Sequence, residues 1–145
     1  NLFIKFNQSK KPRFGGLTTS LNNVMIDAIE KKDTYYLKSV KLNLSYSGIK
    51  KDIKKMALAY HFLDVAISVT ERNQENQEMF SILVDFMMIL DQCQQDILNQ
   101  LKTEFQQAVL VTEGISSTNE LLKYNEKKWS KMIEYYSNKE LKELT

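Results

Sequence analysis

The hydrophobic period of this chain changes once, at Ser47, and that change limits what it can fold into. Before Ser47, apolar and polar residues alternate. Val24, Ile26 and Ala28 share one side of an extended run. A second run spans 35–42, with Tyr35, Leu37 and Ser39 on one side and Tyr36, Lys38 and Val40 on the other. Such alternation marks half-buried strands. The polar turn Lys31-Lys32-Asp33 separates the runs, so they predict an antiparallel hairpin. After Ser47, apolar residues recur at three and four, the spacing of a helix face. Strands first and helices second predict an α+β chain, with a β segment over 1–46 and a helical domain over 47–145. This order excludes the alternating pattern of a parallel α/β fold.

The helical half divides at its polar stretches. Ile49, Ile53, Met56, Tyr60, Leu63 and Ile67 mark the inward face of a first helix, which Ser47-Gly48 opens. A second helix is predicted over 76–90. Its wide apolar face of Met79, Phe80, Leu83, Val84, Phe86, Met87 and Leu90 suits the centre of a bundle. A third is predicted over 94–113, with Ile97, Leu98, Leu101, Phe105, Ala108 and Val109 inward and Gly114 as its stop. Ser117-Thr118-Asn119-Glu120 is a capping box that opens a fourth. Leu121, Leu122, Trp129, Met132, Ile133 and Tyr136 are its apolar members, and a last short helix starts at Ser137. A hairpin alone is marginal in water, so further strands such as 2–6, or a helical partner, must cover it.

Composition excludes several kinds of chemistry. The 145 residues fit one domain, or one domain with a small appendage. One Cys leaves no disulfide framework and no cysteine-built zinc site. One His, His61, sits mid-helix and reads as a half-buried structural residue. Cys93 has no second Cys and no nearby His to activate it. No apolar run is long enough to cross a membrane as a helix. There is no GxxxxGK[ST] and no GxGxxG. Asp85, Asp91 and Asp96 are too scattered to look like a metal cluster, and Glu75 with Glu78 reads as a charge pair at a helix start. The chain begins with Asn1 and carries no signal-peptide pattern, so it reads as a fragment or a trimmed chain.

Binding chemistry remains, and the charge distribution points to it. Residues 1–55 hold 12 Lys/Arg against 4 Asp/Glu, whereas 56–121 hold 2 against 10. A basic front attracts polyanions, because each cation that meets a phosphate releases condensed counterions. Lys5, Lys10, Lys11, Arg13, Lys31, Lys32, Lys38 and Lys41 interleave with Phe3, Phe6, Phe14, Tyr35, Tyr36 and Tyr46. Cations beside rings are how single-strand binders hold phosphates and stack bases, although rings in strands are also ordinary core residues. Lys50, Lys51, Lys54 and Lys55 crowd the start of the first helix, where cations oppose the helix dipole. Solubility and polyanion binding are the two readings of that cluster.

The stretch Lys10-Lys11-Pro12-Arg13-Phe14-Gly15-Gly16-Leu17 resembles the basic loop of the bacterial DNA repair family RecO. The hairpin over 24–44 is similar to the last two barrel strands of that family's OB-fold. Residues 49–60 and 78–86 look like its first two bundle helices, and 105–115 resembles a helix of the family that ends at a glycine. The resemblance implies a partial OB-fold-like antiparallel β segment, lacking its opening strands, followed by a bundle of four or slightly more helices. It implies a non-enzymatic, cytoplasmic, nucleoid-associated recombination mediator. Such a protein binds single- and double-stranded DNA, promotes annealing, works with RecR, docks on the C-terminal tail of single-strand binding protein, and helps RecA load. The DNA-binding residues so implied are Lys10, Lys11, Arg13, Lys31, Lys32, Lys38 and Lys41, with Lys50, Lys51, Lys54 and Lys55 extending the track. The four-cysteine zinc motif of some members is absent, so neither zinc nor another cofactor is expected. Two alternatives stand beside this reading. One is a helical protein–protein adaptor whose basic hairpin pairs with a protein partner rather than DNA, or with its own acidic bundle, the acidic stretch 71–96 meeting the basic front within a dimer. The other is a small enzyme built on Asp85 or Asp91.

Overall fold

The computed structural model describes residues 21–32, 34–71 and 74–115, together with 117, 131 and 133. The chain divides into two compact units, Asn1–Ser47 and Gly48–Thr145, and each is described by itself. The order is a two-stranded antiparallel sheet followed by helices, the α+β arrangement that the change of period predicts.

Strands β1 (Asn22–Lys31) and β2 (Thr34–Ser45) pair as a hairpin, with Lys31 opposite Thr34 at its closed end. Lys32 adopts φ +48°, the left-handed backbone that a two-residue hairpin turn requires. The strands differ in length by two residues, and the pairing absorbs the difference at two shifts. Asp27 pairs with Ser39 but Ala28 with Leu37, so Lys38 is an extra residue on β2. Asn23 pairs with Leu44 but Val24 with Leu42, so Asn43 is another, and its amide donates to Asn23 Oδ1 at 3.2 Å. Residues directly opposite share a face of the sheet. Val24, Ile26 and Ala28 therefore share theirs with Leu42, Val40 and Leu37. This corrects the alternation expected for β2, which puts Leu37 and Val40 on opposite sides. The bulge at Lys38 shifts the phase by one residue and brings both to one face.

The predicted first helix is two. Helix α1 (Ser47–Lys50) is a single turn, and α2 (Ile53–Val69) begins again beyond Asp52. Asp52 has extended backbone and caps α2 with its side chain, so the helix cannot run through it. The inward face of α2 is also not the predicted one. Leu58, Ala59, Phe62, Val65, Ala66 and Val69 are buried, whereas Ile53 is 81 %, Tyr60 42 % and Ile67 55 % exposed. Helix α2 is apolar around most of its girth, and the side carrying Ala59 and Ala66 is the buried one.

Helix α3 (Gln77–Gln92) starts at Asn76, whose side chain accepts from Met79 N–H at 2.9 Å. A 3₁₀ turn, Gln95–Ile97, leads into α4 (Leu98–Thr112). The predicted stop at Gly114 is a Schellman motif. Gly114, at φ +67°, donates to Val111 O at 3.1 Å, and Ile115 donates to Leu110 O at 2.9 Å. Of these two helices α4 is the more enclosed, although α3 has the wider apolar face: Leu101, Phe105, Gln106, Val109 and Leu110 are all buried. Phe80, expected inward on α3, lies exposed, as does Ile97 before α4. The core centres on three rings, one per helix. Phe62 stacks on Phe105 at 4.1 Å, and Phe86 meets them edge-on at 5.9 and 5.2 Å. The predicted fourth helix lies almost wholly outside the described residues, though Lys131 and Ile133 are helical and Ile133 is buried.

Candidate nucleic-acid interface

Four of the predicted DNA-binding lysines, Lys31, Lys32, Lys38 and Lys41, lie on the hairpin, and all are exposed. The pairing assigns faces to two of them. Lys41 is opposite Met25, Ser39 opposite Asp27, and Tyr36 opposite Ile29, and Lys31 follows in the same alternation. Lys31 and Lys41 thus share the face not occupied by Val24, Ile26 and Ala28, roughly 20 Å apart along the strands. Tyr36 lies between them and is 43 % exposed. Met25 and Ile29 complete this face as exposed apolar residues. The odd-numbered alternation of β1 is the sequence signal for them, whereas the expectation above uses only the even set. Asp27 is the one carboxylate on this face among the described residues, and it divides the positive charge into a tip and a far end. Lys32 stands in the turn and Lys38 in the bulge. Lys10, Lys11 and Arg13 lie outside the described residues, as do Lys5 and the rings of Phe3, Phe6 and Phe14.

The lysines of the helical unit separate into two kinds. Lys51 and Lys54 are exposed and Lys50 is half-buried. Lys55 is only 8 % exposed, and its ammonium donates to the Asp91 carbonyl oxygen at 3.1 Å. This corrects its placement on a basic surface: the side chain turns into the fold and satisfies a carbonyl in the last turn of α3. A cation there complements the negative end of that helix, which explains a lysine that its own helix dipole disfavours.

The same corner joins several segments. Asp91 Oδ1 accepts from Ile49 N–H at 3.0 Å, and Asp91 Oδ2 from Gln92 Nε2 at 2.8 Å. A Cβ built on Gly48 would overlap the Asp91 carbonyl oxygen, so only glycine lets α1 pass so close. Asp52 Oδ1 accepts from Lys54 N–H at 2.9 Å and Lys55 N–H at 3.3 Å, and its Oδ2 accepts from the Gln95 amide. The Gln95 hydrogen bond, then those of the two backbone N–H groups, holds the Asp52 carboxyl below the usual range, because each favours the anion.

The remaining candidates have structural surroundings. The His61 ring is half-buried, 6.5 Å from that of Phe62. Cys93 caps the end of α3, its N–H donating to Ile89 O and its thiol to Leu90 O at 3.4 Å. Asp85 is exposed, and Asp91 is engaged as above. Among the described residues no group of three His, Cys, Asp or Glu is placed to hold a metal ion. No helix among them is long and apolar enough to cross a membrane. Compared with known proteins, the chain matches no family model, no curated protein and no solved structure.

Proposed function

We propose that this chain is a non-enzymatic, DNA-binding recombination mediator of the RecO type, and that the hairpin is its nucleic-acid surface. The observation that carries the reading is the face on which exposed Lys31 and Lys41 bracket exposed Tyr36. Cations on the same face as an exposed ring, to either side of it along the ribbon, can hold phosphates while a base stacks. Lys32 adds support. Asn or Gly is the relaxed choice for a left-handed turn, and a longer side chain costs roughly 1–2 kcal/mol there. A strained residue that places a cation at the tip of the ribbon is the kind of local conflict that functional sites retain.

Single-stranded DNA fits this ribbon best, with double-stranded DNA held more weakly through phosphates alone. Lys10, Lys11 and Arg13 extend the surface from the preceding basic loop, as the resemblance to RecO implies. On the same basis the partners are RecR, the C-terminal tail of single-strand binding protein, docked on the helical unit, and RecA at the loading step, in the bacterial cytoplasm.

The test is fluorescence anisotropy with a labelled single-stranded oligonucleotide at several salt concentrations. Lys31→Ala with Lys41→Ala should weaken binding to all sequences and flatten the log–log salt slope by about 0.7 for each phosphate no longer neutralised. Tyr36→Ala should weaken binding by roughly fivefold or more while leaving the slope alone, and Tyr36→Phe should restore it. Unaltered affinity in both variants overturns the assignment of the hairpin.

A further inference from the structure

Helix α2 carries two apolar stripes, and among the described residues the core uses only one. The other is Ile53, Met56, Tyr60, Leu63 and Ile67, separated by three, four, three and four residues. That is the a/d spacing of a coiled-coil seam. Ile53, Tyr60 and Ile67 are exposed, and Met56 and Leu63 are half-buried beside them. The stripe runs about 21 Å along the helix. An exposed row of large apolar side chains this long is unusual on a free surface and marks an interaction site.

The charges beside the stripe identify what covers it. On the helix itself, exposed Lys54 lies at the Ile53 end of the stripe and exposed Asp64 toward the Ile67 end. A second copy laid antiparallel, with Tyr60 facing Tyr60, puts Ile53 against the other copy's Ile67. The same placement sets Lys54 beside the other copy's Asp64, twice over by symmetry. A parallel copy would instead place like charges together. Ala57 is exposed next to the stripe and leaves room for the Leu63 that it would face. Self-complementarity under a two-fold axis is what a closed dimer interface demands.

We propose that α2 is a self-pairing face, through which two copies of this chain associate as an antiparallel dimer. The inference stands independently of the nucleic-acid reading. It assigns Lys54 to a carboxylate of the second copy rather than to a phosphate track.

Sedimentation equilibrium of the full chain, from low to high micromolar concentration, tests this. A reversible monomer–dimer equilibrium is expected. Lys54→Glu and Asp64→Lys should each weaken it, by about tenfold for the two symmetric pairs reversed. The double variant Lys54→Glu/Asp64→Lys should restore it. Ile53→Ser with Ile67→Ser should give a monomer whose thermal midpoint equals that of wild type at concentrations where wild type is itself monomeric. A chain that is monomeric throughout the range overturns the proposal, as does a dimer indifferent to the two charge reversals. A monomeric wild type whose midpoint falls in the Ile53→Ser/Ile67→Ser variant would show instead that the chain's own residues cover the stripe.

Discussion

Replacing Lys55 by Met separates the structural lysine of the basic run from those proposed to bind DNA. Methionine keeps the buried stem and removes only the ammonium. In the native protein that ammonium donates to the Asp91 carbonyl at 3.1 Å, at the negative end of α3. Hydrogen bonds to charged groups contribute about 1.5–3 kcal/mol, and a cation at a helix C-terminus up to about 2 kcal/mol as part of the same interaction. Lys55 lies at the edge of the core, not in its centre, so the low end applies and the destabilisation should be about 1.5 kcal/mol. With a urea slope of about 2 kcal/mol per molar, the unfolding midpoint should fall by roughly 0.7 M with the slope unchanged. Single-stranded DNA affinity, measured on the folded variant, should not change. An unshifted midpoint would refute the capping role. A midpoint that holds while DNA affinity drops would return Lys55 to the binding surface.

Two further perturbations test the acid behaviour and the core. Asp52→Asn keeps a competent helix cap but cannot ionise. The folded carboxyl of Asp52 lies below its ordinary value. Its contribution to stability is therefore complete above the unfolded value of about 4 and is lost as pH falls through the lower folded value. Wild type should lose urea resistance more steeply than Asp52→Asn below pH about 4, and parallel curves would show that Asp52 contributes no pH dependence. Phe105→Ala removes the ring that both Phe62 and Phe86 pack against. Phe105 is fully buried, so this should cost about 3–5 kcal/mol, and an effect under about 1 kcal/mol would mean the core is not centred there.

Local signals carry much of the fold. The polar turn and β-prone runs locate the hairpin, Asn76 opens α3, and Gly114 ends α4, because turns, caps and stops are written in one or two adjacent residues. Other features are not legible in this way. The bulge at Lys38 inverts the expected alternation of β2, and nothing in Leu37-Lys38-Ser39 sets it apart from a regular strand. The inward side of α2 is ambiguous in the sequence because both its stripes are apolar, and only neighbouring helices decide between them. The candidate site follows the same division. Lys31, Lys32, Lys38 and Lys41 sit on an exposed ribbon, as alternation and turn chemistry allow. Lys55 reads as a surface cation because its partner, the Asp91 carbonyl, is 36 residues away in sequence.

That long separation also bears on the order of events during folding. The hydrogen bond from Ile49 N–H to Asp91 spans 42 residues, and α2 with nearly all of α3 lies between its ends. Neither partner can find the other until those helices have docked, whereas the hairpin closes across two residues. The Asp91 corner is therefore expected to assemble late within the helical unit. Substitutions there should leave the refolding rate nearly untouched and act almost entirely through faster unfolding. If unfolding and refolding rates measured for Asp91→Ala respond in this way, the corner that fastens α1 to the end of α3 is a latch, governing how long the native state persists more than how quickly it is reached.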